Sequence, residues 1–186
     1  MSNPSEVQLP PVELLNEKFT YAPETGEFHW KARPRQDFAT YNAYSTWNSR
    51  FAGKVAGWEL NGARGKRYIC LTLDYNKFLA HRAAWKMMTG KDPISKIDHE
   101  DGNGLNNKWD NLREATQSQQ HQNKKIKSDN QTGYKNVRRL PHGRYAAYIK
   151  VDGKFKHLGV YDTPQEAHEV YCTVAKELHG EFFNPG

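Results

Sequence analysis

Between residues 134 and 162 apolar and polar positions alternate with period two over 134–140, 144–151 and 154–162, interrupted by Pro141-His142-Gly143 and Asp152-Gly153. That pattern predicts three short antiparallel strands joined by tight turns. In the middle strand Tyr145, Ala147, Ile149 and Val151 point inward, and Ala146, Tyr148 and Lys150 point out. On the first, Val137 points inward with Lys135 and Arg139, so regular alternation cannot place both Arg138 and Arg139 outward. After Thr163 the period lengthens: Ala167, Val170, Tyr171, Val174, Ala175 and Leu178 recur at helical spacing. Thr163-Pro164-Gln165-Glu166 caps that helix at its start and Gly180 stops it. One apolar helix face covers one face of the sheet and leaves the other face free.

The earlier part of the chain predicts two hairpins, over 19–31 around Pro23-Glu24-Thr25-Gly26 and over 54–73 around Asn61-Gly62-Ala63-Arg64-Gly65, and then a helix over 78–88 stopped by Gly90 and Pro93. His81 and Arg82 on that helix have the chemistry to touch a nucleic acid, but a histidine packed beside Trp85 is the commoner arrangement. From Ile97 to Asn123 the pattern becomes polar, IDHEDGNGLNNKWDNLREATQSQQHQN. Thr116 and Gln119 make a capping box there, which starts a helix at about Gln117.

The chain has 186 residues, 37% of them hydrophobic, and a mean hydropathy of −0.94. Small cores and much polar surface follow, with room for two small modules. The absence of a long apolar run excludes a membrane span, and the start MSNPSEVQLPP has neither the basic nor the apolar region of a signal peptide, so an intracellular, cytoplasmic protein is expected. Cys70 and Cys172 stand far apart without a C-x-x-C, which argues against a disulfide framework and a cysteine-bound zinc and for buried, unreactive thiols. Charge is concentrated: between Lys124 and Lys156 ten Lys or Arg meet two acids, a local +8 against a total of +6, leaving −2 elsewhere. Such a segment is the electrostatic footprint of nucleic-acid binding.

The polar stretch carries the chemistry. Hydrolysing a phosphate diester needs an activated water, a base that works near neutral pH, and positive charge on the phosphate oxygens. Imidazole suits the base and a carboxylate suits a hard cation such as Mg²⁺ or Mn²⁺. Asp98 and His99 supply both, side by side, at a position where Gly102 and Gly104 allow the bend that lets two neighbouring residues approach one phosphate. A calcium loop counted from Asp98 fails, because its fifth and twelfth positions are Gly102 and Trp109.

The segment resembles the HNH endonuclease motif of phage and intron homing nucleases, in its DH…N-N…NL…T form. The resemblance implies an α+β fold with a ββα-metal (His-Me finger) core around one divalent ion. It implies His99 as general base, Asp98 as a metal ligand, and Asn111 as the residue that holds the loop and orients the histidine. Asn107 and Leu112 fall on recurring turn and core positions. The last motif position, usually Asn or His, is Gln120, with His121 next and Asn123 three further on; the resemblance favours Gln120 as the second ligand, with His121 and Asn123 as the alternatives, and on a helix His121 is turned about 100° away from Gln120, so those two do not easily exchange roles.

The C-terminal stretch resembles the plant Apetala-2 (ethylene-response-factor) DNA-binding domain through Y-x-x-V-R, P-x-G-R-Y-A-A-x-I, LG-x-Y-D-T and the amphipathic helix. In that family the free sheet face enters the major groove. By position the resemblance puts Lys135, Arg138, His142, Tyr148, Lys150 and His157 on contact positions, with Arg138 favoured for reading guanine; Leu140, Tyr148 and His157 depart from the family's residues. The basic residues Lys124, Arg139 and Arg144 join the expected contacts. The expected organisation is a nuclease domain over 12–127 with N-terminal β-hairpins, a linker over 128–132 and a DNA-binding domain over 133–183, acting as a monomer on double-stranded DNA. The competing readings are an inactive sequence-specific regulator and an RNA-binding protein whose sheet stacks bases.

Overall fold

The computed structural model describes residues 8–186 apart from Lys125, Lys127, Ser128 and Asp152. The N-terminal start, part of the basic cluster, the first linker residue and one residue of the last hairpin turn therefore lie outside the described residues. The chain divides into two compact units, 1–115 and 116–186.

The first unit opens with α1 (Val12–Lys18), β1 (Phe19–Ala22) and β2 (Glu27–Trp30), followed by α2 (Tyr41–Phe51). Then come β3 (Trp58–Asn61), β4 (Arg67–Leu73), β5 (Asn76–Leu79), α3 (Ala80–Thr89), β6 (Lys96–His99) and β7 (Leu112–Ala115). β1 and β2 form an antiparallel hairpin, β3-β4-β5 a three-stranded sheet, and β6-β7 a second two-stranded ladder. Both expected hairpins are present, but the sequence pattern missed α1, α2 and β5. α1 has no capping side chain and only seven residues, so it owes its existence to burying Leu15 beside Phe19, Phe28 and Phe78 rather than to local signals. α2 has its Thr40 cap, yet its Asn- and Ser-rich sequence has low helix propensity. At Phe78 and Leu79 two consecutive apolar residues fit either period; both belong to β5, which pairs with β4, and the helix begins at Ala80. Ala80, Ala83 and Ala84 are fully buried on α3.

The second unit begins with α4 (Gln117–Gln122), whose Thr116–Gln119 capping box is formed. β8 (Val137–Arg139), β9 (Tyr145–Val151) and β10 (Lys154–Tyr161) make an antiparallel sheet with β9 in the middle. Helix α5 (Pro164–His179) buries Ala167, Tyr171 and Ala175 against Val137, Ala147 and Ile149. Two expectations change. β8 starts three residues later than the alternation suggests, because Asn136 adopts φ +58°, which ends an extended run. Leu178, expected in the core, is 54% exposed.

The division falls ahead of the expected 128–132 linker, and hydrogen bonds explain why. Lys135 Nζ donates to the carbonyls of Gln122 and Asn184, and Asn184 Nδ2 donates to Asn123 O at 3.1 Å. These bonds hold the end of α4 within the second unit.

Candidate functional site

β6 and β7 pair in register, Asp98 opposite Arg113 and His99 opposite Leu112. Alternation along β6 turns Ile97 and His99 toward the core and Asp98 away from it. Asp98 Oδ2 receives both Nε and Nη2 of Arg113, at 3.4 and 3.3 Å. His99 is the last residue of its strand, and Gly102 N bonds back to His99 O at 2.9 Å, so the chain bends where the pairing of acid and imidazole requires it.

His99 is 6% exposed, and its Nε2 lies 3.2 Å from Asn107 Oδ1. The amide's orientation follows from its other end, where Asn107 Nδ2 donates to Leu105 O. An oxygen facing Nε2 makes that nitrogen the N–H donor and leaves the basic lone pair on Nδ1. Burial pushes the His99 imidazole below its ordinary pKa, opposed by the Asn107 bond and by Asp101 and Asp98. At neutral pH the ring is therefore the neutral base.

Asn111 spends its side-chain hydrogen bonds within the loop. Its side chain donates to Asp101 Oδ1 and to Asn106 O at 2.7 Å, and accepts from Asp101 N. The expected division of labour is thus corrected: Asn111 holds the loop, and Asn107, which the motif places only at a turn, orients His99. The reason is loop geometry, since the chain from Glu100 folds back so that Glu100 N meets Asn111 O while Asn107 is sealed to 2% exposure. Asp101, also missed, organises the loop by accepting from Asn103 N, Asn106 Nδ2 and Asn111 Nδ2.

The first hairpin supports this loop from a distant part of the sequence. Tyr21 Oη donates to Asn107 O at 2.7 Å, Trp109 N donates to Pro23 O at 2.9 Å, and Gly26 lies directly against the Asn107–Lys108 peptide. On another side Gly104 lies against Arg67 O and the Tyr68 ring, where no β-carbon would fit. His81, 5% exposed, sets its ring edge-on to His99 with centroids 4.9 Å apart, and Tyr68 flanks both. Among the described residues His81 Nδ1 is buried without a hydrogen-bond partner. The packed-histidine expectation holds, but its neighbour is the candidate base; Trp85 stacks on Trp109 instead.

Burial holds His81 well below its ordinary pKa and His99 below it too. Both protonate more readily in the unfolded chain, so the first unit should be fully stable above about pH 6.5 and lose stability as pH falls below it, by up to about 1.4 kcal/mol per pH unit for each ring. Thermal melts between pH 7 and pH 5 should show this slope, and His81→Phe should flatten it; an unchanged slope would mean that His81 does not hold a depressed pKa.

Among the described residues no group of three His, Cys, Asp or Glu could hold a metal ion. Asp98 offers a carboxylate in the first unit, and Gln120, the other residue named by motif position, lies on α4 in the second unit. Each carries a hard oxygen of the kind Mg²⁺ and Mn²⁺ accept.

The remaining candidates lie in the second unit. Arg138 pairs across to Ala146, placing it with Tyr148 and Lys150 on the sheet face away from α5. Tyr148 pairs with His157, ring centroids 5.2 Å apart, and Lys150 pairs with Phe155. His142 is exposed in the turn before β9 and Lys124 is exposed after α4. Arg139 pairs with Tyr145 and is exposed, while Arg144 Nε is 2.9 Å from Asp162 Oδ1. Lys135 is corrected: its ammonium is held by two backbone carbonyls, and burial pushes its pKa down to about 8. That geometry makes it a brace for the end of α4. Cys172 is half-buried beside His168, not sealed like Cys70.

Comparison with known proteins agrees with the motif. The HNH endonuclease family profile matches residues 78–122. An "Uncharacterized HNH endonuclease L560" of Acanthamoeba polyphaga mimivirus is 33% identical over 123 residues, 65% of this chain and 64% of the relative. The chain thus spans just under two thirds of that relative's length. "Protein 3.8" of Escherichia phage T7 is 32% identical over 106 residues, 55% of this chain and 85% of the relative. No solved structure matches the chain. With the profile lying over the Asp98–His99 strand and its loop, the chain carries an HNH endonuclease domain over residues 78–122.

Proposed function

We propose that the protein is a metal-dependent DNA endonuclease of viral or mobile-element type, in which His99 and Asp98 serve the cutting site and the sheet of the second unit grips DNA. The observation that carries this reading is the buried, neutral His99, oriented by Asn107 so that Nδ1 is the basic atom. His99 takes the proton from the attacking water as the water adds to phosphorus, and the 3′ oxygen leaves. Asp98 would hold the divalent ion that HNH nucleases generally use. When bound, that ion supplies positive charge to the phosphate oxygens and the leaving oxygen. Arg113 holds the Asp98 carboxylate in place, its Nη2 lying 3.3 Å from Oδ2.

The second unit resembles the Apetala-2 domain in sequence and carries Arg138, Arg139, Lys150, Lys154 and Lys156 with no Asp or Glu in its three strands. Such a surface attracts phosphates and raises the local concentration of substrate at the cutting unit.

Supercoiled plasmid incubated with the protein and Mg²⁺ or Mn²⁺ should give nicked or linear product, and EDTA should abolish it. Cleavage that persists in EDTA would overturn the metal requirement. Binding without cutting in either metal would turn the reading to a DNA-binding regulator.

A further inference from the structure

The outer face of the second unit's sheet carries more flat aromatic surface than phosphate binding can use. Phe155 is 70% exposed. It forms one wall of a pocket of about 400 Å³ whose other walls are Asn136, Val137, Arg138 and Tyr148. The ammonium of Lys150 lies 5.7 Å from the Phe155 ring centre, and the Tyr148–His157 pair continues the aromatic surface across β9 and β10.

We propose that this pocket receives an unpaired DNA base, so that the second unit grips DNA at a single-stranded or extruded position rather than along an intact duplex. The inference rests on the reading that this unit binds DNA. An intact duplex offers only base edges and phosphates, because its base faces are spent on stacking. An exposed phenyl ring has no hydrogen bond to give an edge and no charge to give a phosphate. It does match the face of an unstacked base, as aromatic platforms of single-strand binders do. Arg138 and Lys150 flank the ring and supply the cations that the adjoining phosphates require. Strands β8 to β10 hold no Asp or Glu that would repel the backbone.

The test uses the full chain in EDTA, so that no strand is cut, at one fixed salt concentration. Labelled oligothymidine, a perfect duplex, the same duplex with one unpaired central thymine, and oligouridine RNA are compared by fluorescence anisotropy. The single strand and the bulged duplex should bind about tenfold more tightly than the perfect duplex. Phe155→Ala should remove about that factor for both while leaving the melting temperature unchanged, and Phe155→Trp should retain it. A perfect duplex bound as tightly as the bulged one, or an inert Phe155→Ala, would overturn the proposal. RNA bound more tightly than either DNA would overturn its assignment to DNA. Plasmid cleavage in Mg²⁺ is read separately: cutting without a preference for unpaired bases sinks this inference alone, and the preference without cutting sinks the nuclease reading alone.

Discussion

Replacing His99 by alanine is expected to lower plasmid cleavage about a thousandfold, the scale on which a positioned general base contributes. The alanine variant alone would be ambiguous, because His99 is buried and its removal leaves Asn107 Oδ1 without the ring it holds, at a cost of about 1–3 kcal/mol. His99→Gln separates chemistry from folding. A glutamine amide can still donate to Asn107 but cannot accept a proton at neutral pH, so this variant should melt near the parent and cleave as poorly as the alanine variant. In the parent, the acidic fall of cleavage should lie below pH 6.5, the side to which burial moves the imidazole. Cleavage by His99→Gln at the parental rate would remove His99 from the role of base.

The structure also shows which kinds of information a single sequence carries. Capping boxes are local, so Thr116–Gln119 and Thr163–Glu166 were legible, as were the strands whose inward residues alternate, such as β9. The motif likewise singled out Asp98 and His99 beside a bend, and they close strand β6. It could not distinguish Asn107 from Asn111, because both are loop asparagines and only the fold-back of the loop decides which oxygen meets the imidazole. The position of Lys135 in the resemblance likewise does not register that two carbonyls, from Gln122 and Asn184, hold its ammonium. The orphaned Nδ1 of His81 is of the same kind: the sequence suggests a packed histidine, and only the fold shows it edge-on to His99.

The least legible feature is the brace from the first hairpin, and it supports the second large prediction, that Gly26→Ala will destabilise the first unit by about 3–5 kcal/mol and reduce cleavage with it. A β-carbon at Gly26 would stand 2.4 Å from the Asn107 carbonyl carbon and 2.5 Å from Lys108 N, both backbone atoms that no side-chain rotation can move aside. The residue also has φ +77°, a left-handed conformation that costs a non-glycine residue about 1–3 kcal/mol. Relief requires the turn to lift off the loop, which breaks the Trp109 N to Pro23 O and Tyr21 Oη to Asn107 O bonds, each contributing about 1 kcal/mol. Asn107 then loses its support, and the orientation of His99 with it. Tyr21→Phe is the calibrated comparison, because it removes one of these bonds and leaves the hairpin in place; it should cost about 1–2 kcal/mol and retain most activity. Melting curves should rank the parent, Tyr21→Phe and Gly26→Ala in that order, with the last lower than the parent by roughly 10 °C or more. If Gly26→Ala melted and cleaved like the parent, the hairpin would be a neighbour of the loop and not its support.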